Sequence, residues 1–146
     1  MKKLFLLLVL LVSSIPMSAQ LALGYFPFNY SQVQLTTNPD RLVFGDLRME
    51  TNSFITNLNI ELAPMFNLLR REEFNFYAGG GVNLNPLYQE GSVVGGYFMT
   101  TGVRWMPLSQ MRALGFIFEL SPLLYDSFYG AQLRSFLGVS YHFGKP

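Results

Sequence analysis

From Phe74 to Pro86 the chain alternates. Phe74, Phe76, Ala78, Gly80, Val82 and Leu84 share one parity, with Asn75, Tyr77, Gly79, Gly81, Asn83 and Asn85 between them. Side chains leave a β-strand on opposite faces in turn, so this segment is a strand with one apolar face and one polar-or-small face. The period recurs in Phe54–Leu68, where Phe54, Thr56, Leu58, Ile60 and Leu62 oppose Ile55, Asn57, Asn59, Glu61 and Ala63. Arg112–Leu124 sets Leu114, Phe116, Phe118 and Leu120 against Ala113, Gly115, Ile117, Glu119 and Ser121. Leu133–Phe143 sets Leu133, Leu137, Val139, Tyr141 and Phe143 against Arg134, Gly138, Ser140 and His142. Val93–Pro107 carries a noisier version, and Arg41–Glu50 the noisiest, because Asp46, Arg48 and Glu50 share a parity with Leu42 and Phe44. Leu21–Phe28 and Ser31–Thr36 read as two short strands around a turn near Asn29, with Pro27 as the interruption.

The connections fall into two classes. Short turns lie near Asn38–Asp40, Arg70–Glu73 and Pro107–Gln110, and longer ones near Thr51–Ser53, Leu87–Ser92 and Tyr125–Ala131. Short and long alternate from the middle of the chain, the pattern of an all-β, small antiparallel up-and-down transmembrane β-barrel of about eight strands. If the N-terminal stretch is one long bent strand, the count falls to about seven.

Alternation alone does not say which face meets water. Charged residues make up 13% of the chain, against ~25% in ordinary soluble domains, and the polar parity is mostly Asn, Gly, Ser and Thr. That is thin cover for a water-exposed exterior, so the apolar parity is expected outside. Glu61, Arg104, Glu119 and Arg134 are then expected in the lumen as a charge network, with Asp46 and Arg48 as further contributors. A buried charge left unpaired is costly, so these are expected to pair across the barrel. The alternative is a secreted soluble barrel of the opposite sense, with an apolar ligand inside. At about eight strands the interior is filled by side chains, so a wide pore is not expected.

The chain opens with Lys2 and Lys3, an unbroken apolar run from Leu4 to Val12, and then Ser13, Ser14, Pro16, Ser18 and Ala19. Positive, then apolar, then small is the order of a secretory signal peptide, with cleavage expected before Gln20. The apolar run is well short of the ~20 residues of a bilayer-spanning helix. Residues 1–19 are therefore expected to be a signal peptide and residues 20–146 a barrel domain. There is no cysteine, which excludes a disulfide framework, thiolate metal sites and a lipid-modified cysteine anchor. Losing Lys2 and Lys3 changes the balance from 10 basic and 9 acidic residues to 8 and 9. Near-neutral charge gives no argument for nucleic acid.

The last segment, Gly138-Val139-Ser140-Tyr141-His142-Phe143, places an aromatic residue three positions after a glycine and another two further on. Gly138, Tyr141 and Phe143 resemble the terminal recognition signal of bacterial outer-membrane barrels, although Phe136 stands where that pattern carries a polar residue. With the leader and the strands, the chain resembles the small outer-membrane β-barrel proteins of Gram-negative bacteria. The resemblance implies outer-membrane localisation and contact with outer-membrane lipid and lipopolysaccharide. It also implies insertion by the barrel assembly machinery. It implies no particular activity, since one fold serves many.

Several residues are of types that can carry chemistry. Gly79-Gly80-Gly81 is not followed by Lys-Ser/Thr and sits inside a strand, so it is read as relief of crowding and not as a phosphate cradle. Glu61 and Glu119 form a candidate acid/base pair of the glycosidase kind, but arginine partners would make them structural. His142 is the sole histidine and lies near the end of the last strand, which argues against a lipid A-modifying barrel enzyme acting at the outer leaflet. No cofactor or metal is expected. Tyr25, Tyr30, Tyr88, Tyr97, Trp105, Tyr125, Tyr129 and Tyr141 cluster near expected strand ends, where aromatics anchor a barrel at both interfaces. Tyr125, Phe128 and Tyr129 also form a candidate loop binding surface.

Overall fold

The computed structural model describes residues 20–28, 30–52, 58–87, 92–108, 111–126 and 130–143. The expected signal segment 1–19, the start of the strand expected from Phe54, and Tyr88, Phe128 and Tyr129 lie outside the described residues. Eight antiparallel strands close in sequence order into a barrel: β1 (Leu21–Phe26), β2 (Gln32–Thr37), β3 (Val43–Glu50), β4 (Ile60–Arg70), β5 (Phe74–Leu84), β6 (Val94–Trp105), β7 (Leu114–Tyr125) and β8 (Ala131–His142). The N-terminal stretch is two strands. Pro27 has no N–H to give a ladder, and the chain turns there, so Phe26 of β1 pairs with Gln32 of β2.

Connections after even- and odd-numbered strands fall at opposite ends. The expected contrast of short and long turns holds only in the middle of the chain, since residues 106–113 between β6 and β7 outnumber residues 126–130 between β7 and β8. At one end, the short-turn end, named for the tight turn after β4, lie the connections after β2, β4 and β6 together with the start of β1 and the end of β8. At the other, the long-connection end, lie those after β1, β3, β5 and β7. Local chemistry closes the turns. Asn38 takes a positive φ of 27°, a conformation asparagine tolerates better than most residues, and the Arg41 amide returns to its carbonyl at 3.0 Å. The Arg71 amide donates to the Phe74 carbonyl at 2.9 Å, and the Tyr125 amide to that of Gly130 at 3.1 Å. The strand expected from Phe54 starts as β4 at Ile60, where Asn59 ties back to Glu50 through an amide–carbonyl bond of 3.1 Å and a side-chain bond of 3.0 Å.

Two parts of the wall are set by glycine. A Cβ on Gly81 would collide with the Leu62 carbonyl oxygen and the Ala63 Cα, and one on Gly138 with the Phe26 ring and the Tyr25 carbonyl oxygen. In both places a neighbouring strand lies where a side chain would be, so β4–β5 and the β1–β8 seam close at their present spacing because no Cβ intervenes.

The interior is mixed, not simply polar. Phe26, Phe44, Met65, Tyr77, Phe98, Ile117 and Phe136 are buried inside with the polar residues. Phe26 packs on Phe136 with ring centroids 5.5 Å apart, and Phe44 meets Tyr77 edge-on at 5.8 Å. Every charged side chain within a described strand, away from the strand ends, is buried: Asp46, Arg48, Glu61, Arg104, Glu119 and Arg134. The outward positions carry Leu23, Leu35, Leu62, Phe66, Met99, Phe118, Leu120 and Leu137, all substantially exposed.

Candidate functional site

The chemically distinctive region is the lumen, and strand alternation builds it. In β3, Phe44, Asp46 and Arg48 are all buried, so one inward face receives an aromatic ring, a carboxylate and a guanidinium in succession. Glu61 on β4, Arg104 on β6, Glu119 on β7 and Arg134 on β8 also point inward, each on the parity opposite the exposed apolar residues of its strand.

Two hydrogen-bonded networks organise these groups. The first centres on Arg48. Its Nε and Nη2 donate to Asp46 Oδ2, the Nε contact at 2.9 Å, and its Nη1 lies 2.7 Å from Glu119 Oε2. Gln34 Nε2 donates to the same Asp46 oxygen at 3.0 Å, and the Tyr77 hydroxyl donates to Glu119 Oε1. The second centres on Arg134, whose Nη1 pairs with Glu61 Oε1 and whose Nη2 donates to Ser121 Oγ at 3.0 Å. Asn83 Nδ2 donates to Glu61 at 3.0 Å, and the Thr100 hydroxyl to Ser121 at 3.0 Å. Register joins the networks, because Arg48 and Glu61 are directly paired neighbours on β3 and β4.

Glu61 and Arg134 thus meet, but Glu119 takes Arg48 and not Arg104. Arg104 is the correction to the expected Glu/Arg pairing. Among the described residues none accepts a hydrogen bond from its side-chain nitrogens, and its guanidinium lies over the rings of Tyr77 at 5.2 Å and Phe44 at 5.7 Å. An aromatic face attracts a cation through its quadrupole, and more so when both are desolvated. Because Tyr77 also donates to Glu119, the Arg104 charge sits beside the excess negative charge of Asp46, Arg48 and Glu119. Among the described residues three buried carboxylates face three buried guanidinium groups in the lumen. Arg134 stacks in the same way on Phe98 and Phe136, at 5.7 and 5.4 Å.

Arg48 is the hub, and sequence reasoning gave it only a supporting place. Its signal was present: Asp46, Arg48 and Glu50 at period two mark one strand face. Their shared parity with Phe44 read as noise, because a lumen that also accepts aromatic rings blurs the apolar–polar contrast.

Gly102 lets the first network close. A Cβ there would lie 2.7 Å from Glu119 Cγ and 2.9 Å from Tyr77 Cζ. Gly102→Ala is expected to lose ~1–3 kcal/mol in urea unfolding, the usual cost of overpacking. Wild-type stability would show that the Tyr77–Glu119 contact is not held tightly.

The other expected sites lie at the ends. At the short-turn end a concavity of about 700 Å³ is lined by Arg70, Arg71, Arg112, Asp40 and Glu72, with Asn75 and Met106 also on its wall. His142, the last residue of β8, is buried at that end with its Nε2 3.4 Å from Ser140 Oγ. At the long-connection end the Tyr125 hydroxyl donates to Gln132 Oε1 at 3.0 Å, and Gln132 Nε2 to the Tyr30 hydroxyl at 2.6 Å. The described residues contain no group of three or more metal-ligating side chains. Of the terminal motif, Gly138 faces inward, whereas Tyr141 and Phe143 are exposed and pack edge-on at 5.2 Å.

No protein-family model matches this chain, and no curated protein matches it.

Proposed function

We propose that this chain is a small outer-membrane β-barrel protein with a structural or interaction role, its lumen closed by side chains. The observation that carries the reading is the sense of the barrel. All charged side chains within its described strands, apart from those at strand ends, are buried, while the outward face is apolar. Water rewards the opposite arrangement, and hydrocarbon rewards this one.

Aromatic residues give the apolar face two borders. Tyr25, Tyr97 and Tyr125 stand near the long-connection end, and Trp105, Phe116 and Tyr141 near the short-turn end, with Trp105 and Phe116 in ring contact at 6.2 Å. From Tyr97 to Trp105 the chain rises roughly 26 Å at ~3.3 Å per residue. A strand tilt of ~40° reduces this to about 20 Å along the axis, close to the ~25 Å apolar band of outer-membrane barrels. The resemblance of Gly138, Tyr141 and Phe143 to the terminal signal adds the Gram-negative outer membrane and its assembly machinery to the proposal. Outer-membrane lipid and lipopolysaccharide are the proposed surroundings of the apolar face. The reading assigns no catalysis to the chain.

Leu120 lies midway along β7 and is exposed. Leu120→Arg is expected to lose ~2–4 kcal/mol when unfolding is followed in lipid vesicles, the cost of a cation on a lipid face near the midplane. The wild-type chain is expected in the outer-membrane fraction with heat-modifiable gel migration. A barrel freely soluble without detergent, and indifferent to Leu120→Arg, would overturn the reading.

A further inference from the structure

Three connections meet at the short-turn mouth of the barrel. The turn after β2 brings Asp40, the end of β4 and the turn after it bring Arg70, Arg71 and Glu72, and the connection after β6 brings Arg112. Together they wall the concavity of about 700 Å³, with buried Asn75 and Met106 at its base. Local bonds hold each wall. Buried Asn67 donates to the carbonyls of Pro39, at 2.8 Å, and Arg41, which fixes the turn carrying Asp40. The Met106 amide donates to the Glu73 carbonyl at 2.6 Å and the Leu114 amide to that of Met111 at 3.0 Å, so the connection carrying Arg112 is anchored on both sides. Arg70 Nη1 donates to the Asp40 carbonyl at 3.3 Å, and Asn75 Nδ2 to the Asp40 carboxylate at 3.3 Å.

These walls carry more positive charge than they neutralise. Three guanidinium groups face two carboxylates. Arg112 pairs with Glu72 at 3.3 Å, but both side chains are well exposed, and a pair of that kind contributes little. Among the described residues neither Arg70 nor Arg71 forms an ion pair. Outside the lumen, every arginine stands at this end of the barrel. The other end is opposite in sign. No Lys or Arg falls in the connections after β1, β3, β5 or β7, while Glu50, Glu90 and Asp126 fall in or beside them.

We propose that this concavity binds a phosphoryl group. Guanidinium groups recognise such oxyanions through paired, charge-assisted N–H donors. A carboxylate has two oxygens, which one arginine occupies in full. A phosphoryl group offers three or more, enough for Arg70, Arg71 and Arg112 to donate together. Arg112 gives up its exposed Glu72 partner at small cost. Two carriers of the group fit: a soluble phosphate entering the mouth, or a phospholipid headgroup at its rim. Height admits the second. Trp105 pairs with Phe74 and immediately precedes Met106, so the concavity lies just beyond the aromatic border, at headgroup level on the membrane reading. The site itself does not depend on that reading; only the headgroup source does.

The full chain in neutral detergent, titrated calorimetrically with inorganic phosphate, is expected to bind it saturably. Sodium chloride at ~0.15 M screens diffuse attraction beyond ~8 Å, so what remains is local. Arg71→Gln and Arg112→Gln are each expected to weaken binding about tenfold, the loss of a charge-assisted hydrogen bond, with heat-modifiable migration unchanged. Arg41→Gln removes the same charge at the same end from an exposed residue outside the concavity, and is expected to bind as wild type does. Native mass spectrometry of micelles doped with phosphatidylglycerol separates the sources. Lipid retained by wild type and released by Arg71→Gln assigns the headgroup, and phosphate binding without lipid retention assigns a soluble phosphate. Failure of both probes to bind in an Arg71-dependent way would overturn the proposal, as would equal weakening by Arg41→Gln and Arg71→Gln. A chain soluble without detergent would remove the headgroup source alone, since the phosphate titration still decides the site.

Discussion

Arg48→Met is expected to lose about 3–5 kcal/mol of barrel stability in urea unfolding from detergent micelles, the range for removing one member of a buried charge network. Asp46 and Glu119 both depend on this guanidinium. Without it, Gln34 and Tyr77 still donate one hydrogen bond to each carboxylate, but two negative charges stay buried with no cation between them. Arg104 lies over Tyr77 and does not reach either carboxylate by a hydrogen bond. The cost therefore belongs to the stranded carboxylates more than to the lost arginine. The triple variant Asp46→Asn/Arg48→Met/Glu119→Gln is expected to recover most of the loss, since amides keep shape and polarity without charge. If Arg48→Met stays within ~0.5 kcal/mol of wild type, as surface changes do, the network is not what holds the lumen.

Gly138→Val is expected to remove the folded barrel altogether, read as loss of heat-modifiable migration after refolding of purified protein into lipid vesicles. The new side chain would occupy the place of the Phe26 ring and the Tyr25 carbonyl oxygen. The ring can turn, but the carbonyl belongs to β1 and moves only if the short seam from Ala22 to Tyr25 opens. Tyr141→Ala and Phe143→Ala alter exposed positions of the same motif. They are expected to leave refolding close to wild type while reducing assembly in cells. That pair of outcomes would assign closure to Gly138 and, on the proposed reading, recognition during assembly to the two aromatics. Efficient refolding of Gly138→Val would end that division.

How much of this could be read beforehand depended on which residues share a face. In β5 and β7 the outward parity is almost uniformly apolar, from Phe74 to Leu84 and from Leu114 to Leu124, so strand and face were legible, while the sense of the barrel was legible only through the scarcity of charge. In β3 the inward parity mixes Phe44 with Asp46 and Arg48. Periodic reading has no means of knowing that a lumen welcomes both. The N-terminal pair was legible through Pro27, whose missing N–H marks a strand end. Ion-pair partners were not, because Arg48 meets Glu119 across 71 residues and Arg134 meets Glu61 across 73. Those distances in sequence become contacts only after the sheet has closed. Arg104 was legible as an inward charge, but not as one held by the faces of Tyr77 and Phe44.

The two ion pairs have a mechanical consequence. In an eight-membered ring β3 stands opposite β7 and β4 opposite β8, and these are the strands that Arg48–Glu119 and Glu61–Arg134 connect. A thin-walled tube squeezed from the side fails by becoming oval, and ladder bonds within the wall resist that weakly because they act as hinges. Struts fastened between facing walls resist it directly. With two of them set one strand apart, the cross-section is braced along neighbouring diameters, and opposite charge serves this cylinder as cross-bracing serves a frame.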